Sequence, residues 1–424
     1  MSISIITLVV VFFLIAIRQI GNIKLKIWQI MLGGAVFVIL AGEITPRQAF
    51  QAINFDVIFF LFGMFIIGQA IEDSGYLTHL CYKFFGKVKS VDQLILAILF
   101  TMGAGSAILM NDTLAIIGTP IMILLAKRNM ISAKLLLLCL AFAITIGSVT
   151  SPIGNPQNLL IAMGGNIENP FIVFTKYLFI PTILNLLFTY YLLKFFYKKD
   201  FLIKNLQAGD VEITHHRLSS VARMSLILVI GLILLKVALA LLNFFTDVKF
   251  DFKLTYIALI GCSPILFYRF MSKKKKYRFH ILRKIDWFTI IFFASMFVLM
   301  QSVWTSGFFQ NVFSRLSLDM KSLSVIMILS VSVSQLISNV PMVALFLPLI
   351  SSSGAGHLEL MALAAGSTIA GNLFILGAAS NVIIIQHAEK EKNGETITFL
   401  EFAKIGMPLT ALNVLVHLLF FWIF

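Results

Sequence analysis

MNDTLAIIGTP, Met110 to Pro120, sets an amide, a carboxylate and a hydroxyl side by side (Asn111, Asp112, Thr113) within some of the most apolar sequence of a 424-residue chain. The chain is 59% hydrophobic and 12% charged, with 41 Phe. Soluble domains run nearer half apolar and a quarter charged. Apolar runs of about 16 to 25 residues recur along the whole length, and about 20 residues cross about 30 Å of hydrocarbon. The fold class is therefore all-α, polytopic and membrane-embedded. Unpaired backbone is tolerated at membrane depth only where protein or a water-filled cavity surrounds it. A polar triplet there marks either a site or an interruption.

Working outward from the triplet, full spans are expected at 2–17, 27–42, 56–72, 134–164, 171–196, 219–245, 254–271, 286–304, 358–388 and 399–424. Two further apolar stretches, 93–126 and 322–350, are too long for one span. They are interrupted at Asn111 and at Asn339-Val340-Pro341, which suits re-entrant hairpins that enter and leave on one side. With the N-terminus outside, 26 Lys and Arg fall in the inner segments and six in the outer ones. The positive-inside bias supports this layout, with both termini outside. The net charge of +14 thus reads as a topology signal; no aromatic-interleaved basic face suggests nucleic acid. The run 2–17 has no basic region before it and no small-residue cleavage site after it, and is taken as a span rather than a signal peptide.

The same order of parts occurs twice. Asn111 to Pro120 and Asn339 to Pro348 share the spacing N-x8-P. Asp56-Val57-Ile58-Phe59 opens the third span and Asp286-Trp287-Phe288-Thr289 the eighth. GNPQNLLI (154–161) aligns with GAASNVII (377–384), 223 positions on, and IPTILN (180–185) with MPLTALN (407–413). Five spans per half turn the second copy upside down, the inverted repeat of secondary transporters. Residues 1–196 form the first repeat, with hairpin 93–126 and broken helix 134–164. Residues 197–218 form a cytoplasmic linker, and 219–424 the second repeat, with hairpin 322–350 and broken helix 358–388. Segments 76–89 and 306–318 suit amphipathic surface helices.

Two tips and two breaks should converge near the midplane. The breaks are SVTSPIGNPQN (148–158), interrupted by Pro152, Gly154 and Pro156, and GNLFILGAASN (371–381), interrupted by Gly371 and Gly377. Helix N-termini there favour anions; free carbonyls and neutral side-chain oxygens favour hard cations. The candidate binding residues are Asn111, Asp112, Thr113, Ser148, Gly154, Asn155, Asn158, Ser338, Asn339, Gly377, Ser380 and Asn381. Sodium sites are placed at Asn111/Asn158 and Asn339/Asn381. No Lys or Arg lies at a break. Asp112 is the one carboxylate among them, and an intramembrane acid ordinarily marks an ion or proton pathway. It is assigned to proton coupling, with capping of the returning helix as the structural alternative.

Asp56 and Asp286 are read as helix-terminal, Glu72-Asp73 as interfacial and Lys236 as snorkelling. The seven His and three Cys show neither metal-ligand nor disulfide spacing, so no metal beyond sodium, no cofactor and no catalytic residue is expected. HExxH, GxSxG and P-loop patterns are absent, which argues against an enzyme or an ATPase.

NDTLAIIGTPIMILLAKR followed by IGSVTSPIGNPQNLL resembles the first-repeat signature of the arsenite permease and NhaD-type sodium/proton antiporter families. ISNVPMVALFLPLI followed by GSTIAGNLFILGAASNVII resembles the second. Both families belong to the ion transporter superfamily, with the citrate-transporter-like anion permeases. The resemblance covers the chain from about residue 20 and is specific at superfamily level. It implies a multi-pass protein of a prokaryotic-type plasma membrane, a homodimer in which a transport domain moves against a scaffold by an elevator motion. The transport domain would hold the hairpins, the broken helices and the span after each. The dicarboxylate branch has Ser-Asn-Thr at the tips; Met110-Asn111-Asp112 departs from it, and a carboxylate beside a dianion is repulsive. The departure fits the arsenite-permease branch. The expected function is secondary transport of a small anion or oxyanion driven by a proton or sodium gradient. Alternatives are a sodium/proton antiporter and a di- or tricarboxylate or sulfate symporter; a soluble ATPase partner is left open.

Overall fold

The computed structural model describes residues 3–424 apart from 18, 21, 22, 25, 77, 78, 80–84, 86, 87, 204, 205, 207–215, 246–251, 272–278, 309, 310, 312–318 and 391–396. The expected surface helices at 76–89 and 306–318 and the linker 197–218 lie largely outside the described residues, as do Cys81 and His215.

The described helices are α1 (Ile3–Ile17), α2 (Ile27–Leu40), α3 (Pro46–Ala52), α4 (Phe55–Ser74), α5 (Val91–Leu109), α6 (Asn111–Asn129), α7 (Ala133–Ser148), α8 (Pro156–Gly164) and α9 (Pro170–Phe196). They continue as α10 (His216–Phe245), α11 (Leu254–Phe270), α12 (His280–Lys284), α13 (Trp287–Thr305), α14 (Leu323–Ile337), α15 (Asn339–Ser352), α16 (His357–Ile369), α17 (Ala379–Lys390) and α18 (Phe399–Phe421). A short antiparallel ribbon pairs Gln19–Ile20 with Ile23–Lys24. By length and composition α4, α5, α9, α10, α13 and α18 can each cross a membrane. The other long apolar helices are shorter, and α7–α8 and α16–α17 each cover one of the expected broken spans.

Caps set where the long helices begin. Asn54 Oδ1 accepts the Val57 N–H at 3.2 Å at the start of α4, and Asp286 Oδ1 accepts the Thr289 N–H at 3.0 Å at the start of α13. Each satisfies a donor that the first turn leaves over. Sequence alignment pairs Asp286 with Asp56, but the capping equivalent is Asn54. Asp56 instead receives Lys253 Nζ at 2.8 Å and the Thr255 hydroxyl at 3.1 Å.

Two crossed pairs form one layer: α4 packs along α11, and α13 along α2. A Cβ at Gly63 would stand 2.8 Å from the Ala258 carbonyl, so glycine permits the first crossing. The α4–α11 pair is fixed at both ends, by Asp56 with Lys253 and by Asp73, which takes Lys284 Nζ at 2.7 Å and Arg269 Nη2 at 3.3 Å. Asp73 is half-buried, about 10% of its side chain exposed, and ties the ends of these helices together, while Glu72 beside it is exposed. In the α2–α13 pair Trp28 stacks on Phe288 at 4.8 Å, and the Ser4 hydroxyl bridges Glu43 and Ser302, both at 2.6 Å. Lys236 reaches from α10 toward the chain just before α11. It is buried and its ammonium donates to the Phe252 carbonyl at 2.7 Å.

α1, α3, α10 and α12 pack mainly on this layer, while α5–α9 and α14–α18 form a second body: α5 on α7, α14 on α16, α6 on α7 and α17, α15 on α16 and α8, and α9 on α18. At the α5–α7 crossing a Cβ on Gly147 would lie 2.2 Å from the Gly103 carbonyl, so the backbones touch through small residues, the usual means of close approach in lipid.

Candidate functional site

Each tip is a single residue. Met110 joins α5 to α6 at φ 61, ψ 139, and Ser338 joins α14 to α15 at φ 73, ψ 157. A non-glycine residue so placed costs about 1–3 kcal/mol and persists only where its surroundings impose it. A Cβ on Gly105 would stand 3.1 Å from Leu114 Cδ1, so α6 turns back along α5.

The first tip is bonded to the first break, where the Asn111 N–H donates to the Gly154 carbonyl at 3.1 Å. Gly154 is required by crowding: a Cβ there would lie 2.5 Å from Ser148 O and 3.1 Å from Ser106 O. Asn155 caps α8 by accepting the Asn158 N–H at 2.8 Å, and its Nδ2 donates to Ser148 Oγ at 3.0 Å and Thr368 Oγ1 at 3.2 Å. Asn158 Nδ2 donates to the carbonyls of Ser148, Val149 and Ser151 at 3.1, 3.3 and 3.1 Å, while its Oδ1 accepts the Thr368 hydroxyl at 3.2 Å. Every polar atom of Asn155 and Asn158 is therefore engaged in holding the break. Asn158 Oδ1, expected to serve a sodium site with Asn111, already accepts the Thr368 hydroxyl and has one lone pair left for an ion.

The second break repeats one of these bonds 223 positions on: Asn381 Nδ2 donates to the Gly371 carbonyl at 2.7 Å, as Asn158 does to Ser148. The surroundings differ. Gln335 Nε2 donates to the Ala370 carbonyl at 2.8 Å. A Cβ on Gly377 would meet Ala370 O at 2.8 Å and Gln335 Oε1 at 3.0 Å. Buried oxygens without a hydrogen-bond partner remain on Gln335, Asn339, Ser380 and Asn381, and on Thr145, whose methyl would touch a Cβ at Gly371. Asn372, also buried, has neither amide atom paired.

The structure thus brings Asn111, Ser148, Gly154, Asn155 and Asn158 into one buried cluster, and Gly377 and Asn381 into another with Gln335 around the Ala370 and Gly371 carbonyls, with Ser380 next to Asn381 in the chain and Asn339 buried at the start of α15. The clusters meet where α7 and α16 pack. Thr113 lies beside α4, 3.0 Å from where a Gly68 Cβ would stand; Ser338 is half-buried at its tip. Asp112 is half-buried in the first turn of α6. It does not cap the helix, which begins after Met110 with no side-chain cap. Among the described residues no hydrogen bond or ion pair reaches its carboxylate, and its own N–H goes to Asn111 Oδ1 at 3.0 Å.

Sequence reasoning missed Thr145, Thr368 and Gln335. A signal existed for the first two: extending the 223-residue offset backwards pairs Thr145 with Thr368 and Ser148 with Gly371.

The profile of the family described as citrate transporter matches residues 10–364. A 46 kDa membrane protein of Mycobacterium leprae is 26% identical over 92% of both chains. A transporter named arsB of Dictyostelium discoideum is 23% identical over 90% of this chain and 85% of its own. The solved YdaH transporter of Alcanivorax borkumensis superposes with a TM-score of 0.60 at 14% identity, covering 99% of this chain and 97% of that one, a likeness of fold. The chain belongs to the citrate transporter family, and is a multi-pass membrane transporter of an anion-type substrate rather than an enzyme.

Proposed function

We propose that the protein is a secondary active transporter of a small anion or oxyanion, arsenite-permease-like, coupled to a sodium or proton gradient. The observation that carries the reading is the second tip and break: among the described residues, buried neutral oxygens on Gln335, Asn339, Ser380 and Asn381 have no hydrogen-bond partner, and neither the tip 337–341 nor the break 371–381 contains a Lys or Arg. Buried polar groups left without partners are expensive, and neutral oxygens suit a hard monovalent cation. A cation seated there would offset an anion's charge beside the helix N-termini of α6 and α15. Asp112, with no ion pair, takes the coupling proton.

The architecture behind this reading is an inverted repeat. Exchanging the halves maps α4–α11 onto α13–α2, α5–α7 onto α14–α16 and α6–α17 onto α15–α8, and leaves α9–α18 on itself, and each of these pairs packs. The body holding tips and breaks is the moving part of an elevator, and the α2–α4–α11–α13 layer the scaffold of a homodimer. A cavity of about 390 Å³ lies along their boundary, between Phe297, Gln301 and Trp304 on one side and Leu160, Gly164 and Leu347 on the other. Both termini face outward from a plasma membrane.

A sodium/proton antiporter is the second reading, favoured by the unpaired acid beside cation-type oxygens. Thermal stabilisation of the purified protein by arsenite, sulfate, citrate, succinate or sodium tests the substrate class. Proton movement driven by sodium in proteoliposomes without any anion would overturn the leading reading in favour of the second. A dicarboxylate substrate fits less well, because Asp112 would repel it.

A further inference from the structure

The last helix of each half carries polar residues that the tips and breaks do not use. Thr182, Asn185 and Thr189 of α9 are matched 228 positions on by Thr410, Asn413 and His417 of α18, and all six are buried. Thr182 and Asn185, like Thr410 and Asn413, are three apart, and Thr189 and His417 four further on; each set shares one helix face.

Three contacts fix the pairing of the helices. Tyr177 meets Phe424 at 4.9 Å, Asn185 Nδ2 lies 3.2 Å from His417 Nδ1, and Lys404 sits 5.6 Å over Phe196. The helices run antiparallel with residue numbers summing to a near-constant value. At 1.5 Å per residue, Thr182 and Thr410 then stand about 14 Å apart along the axis, with both Asn residues and His417 between them. This is a polar seam, not a compact cage.

The two halves hold it in the same way. Thr189 Oγ1 donates to the Asn185 carbonyl at 2.7 Å, and His417 Nδ1 lies 2.8 Å from the Asn413 carbonyl. A carbonyl has no hydrogen to give, so Nδ1 carries one; the Asn185 amide beside it then presents its oxygen, otherwise without a partner, rather than its NH2, and Nε2 of the neutral ring is left as a bare lone pair. That Nε2 is buried without a partner, as are Thr182 Oγ1, Thr410 Oγ1 and both amide atoms of Asn413. Donors and acceptors are mixed, which suits water rather than a metal ion, and no carboxylate is present to hold a divalent cation.

We propose that the α9–α18 seam is a hydrated proton-binding site, with His417 Nε2 as the atom that takes the proton. A proton arriving through water forms the Nε2–H bond and leaves the ring an imidazolium, whose new donor is met by seam water, amide or hydroxyl oxygen. Because Nδ1 stays tied to a backbone carbonyl, the proton must leave by the nitrogen it entered. The ring stores a proton and does not relay it. Charged and titratable groups on the elements against α18 sit at helix ends: Lys176, Tyr177, Tyr190, Tyr191 and Lys194 on α9, and His357 and Glu359 on α16, with Glu401 and Lys404 on α18 itself. Glu359 caps its own helix through the Gly356 N–H. Tyr190 and Tyr191 follow Thr189 and stand level with the Thr410 end of the seam, Tyr190 with its hydroxyl on Asp92, and the others lie beyond it.

The site is separate from Asp112 and can be tested without a substrate. Histidine-selective ¹⁵N NMR on the purified full-length protein, from about pH 4 to about pH 8, follows the ring, with His417→Gln assigning its signal. The expected result is protonation at Nε2 within that range with Nδ1 protonated throughout. A Thr182→Val/Thr410→Val variant, which dries the ends of the seam with little change of shape, lowers the proton affinity about ten-fold or more. A ring that stays neutral over the whole range, or an affinity unchanged in the valine variant, overturns the proposal. Where His417→Gln fails to fold, His417→Asn supplies the assignment.

Discussion

Asn158 and Asn381 stand 223 positions apart and make the same bond, to the carbonyls of Ser148 and Gly371, yet their replacement by Ala should have unlike consequences. Asn158→Ala removes three donations and the acceptor of the Thr368 hydroxyl. Ser148 O keeps a second side-chain donor in Asn155, and Ser151 O keeps the Gly154 N–H at 3.3 Å. The Val149 carbonyl and the Thr368 hydroxyl are the groups left short, at about 1–2 kcal/mol each, which puts the loss at about 2–4 kcal/mol. Asn381→Ala removes one donation and also deletes an oxygen that had no partner. Those effects oppose each other, and the net cost should be about 1 kcal/mol or less. Thermal unfolding of detergent-purified protein, followed with and without sodium, reads both variants. Asn158→Ala should melt lower yet keep its sodium-dependent stabilisation; Asn381→Ala should melt near the parent and lose it. Equal destabilisation by the two, or sodium stabilisation intact in Asn381→Ala, would refute the division into a structural knot and an open site.

Gly154→Ala forces a methyl to within 2.5 Å of a backbone carbonyl and should abolish the folded state or cost several kcal/mol, whereas Gly33→Ala, with nothing within 4 Å, should be silent in the same melt. Asp73→Asn strands the nearly buried Arg269 and should cost about 3–5 kcal/mol. Lys253→Ala at the exposed end of the same helix pair should cost under about 1 kcal/mol, so parallel unfolding curves rank them. Asp112→Asn should leave folding intact and remove proton coupling from substrate flux in proteoliposomes; unchanged coupling would withdraw Asp112 from that role.

What was legible in the chain was its interruption pattern. A tip residue such as Asn111 and a break such as Pro152 to Pro156 announce themselves because polar and helix-breaking residues are costly in apolar sequence. Thr145 and Thr368 gave no such warning: a threonine near the end of a helix is ordinary in a membrane helix, and only the approach of the start of α8 to α16 gives Thr368 its partners, Asn155 and Asn158. The partners of Asp73 were hidden for a related reason. Its position at the end of a span suggested water, and the cations that enclose it come from residues 196 and 211 positions away. Asp56 was aligned with Asp286 on letter identity, although the cap, which is set by geometry, belongs to Asn54.

The two halves share a backbone plan and differ in which side chains are free. At each tip a non-glycine residue holds a positive φ, and at each break an Asn ties the chain to the carbonyl ten residues back. In the first half Ser148, Asn155 and Thr368 then use up the remaining valences, leaving a rigid knot with one unpaired carboxylate, Asp112, at its edge. In the second half Gly371 and Ala378 stand at the positions of Ser148 and Asn155. They supply no hydroxyl and no amide, so Asn339, Ser380, Asn381 and Gln335 keep unused oxygens. The second copy lacks two of the polar side chains that close the first, which on the function proposed above leaves its oxygens for a ligand. Restoring them, by Ala378→Asn with Gly371→Ser, should fill the second site with its own hydrogen bonds and weaken its cation binding. A Cβ at Gly371 would come within 2.9 Å of the Ala378 Cβ and 3.3 Å of Thr145, so the double variant must shift locally to fold. Ala378→Asn alone is the cleaner test, and sodium affinity that survives it undiminished would show that the asymmetry has another origin.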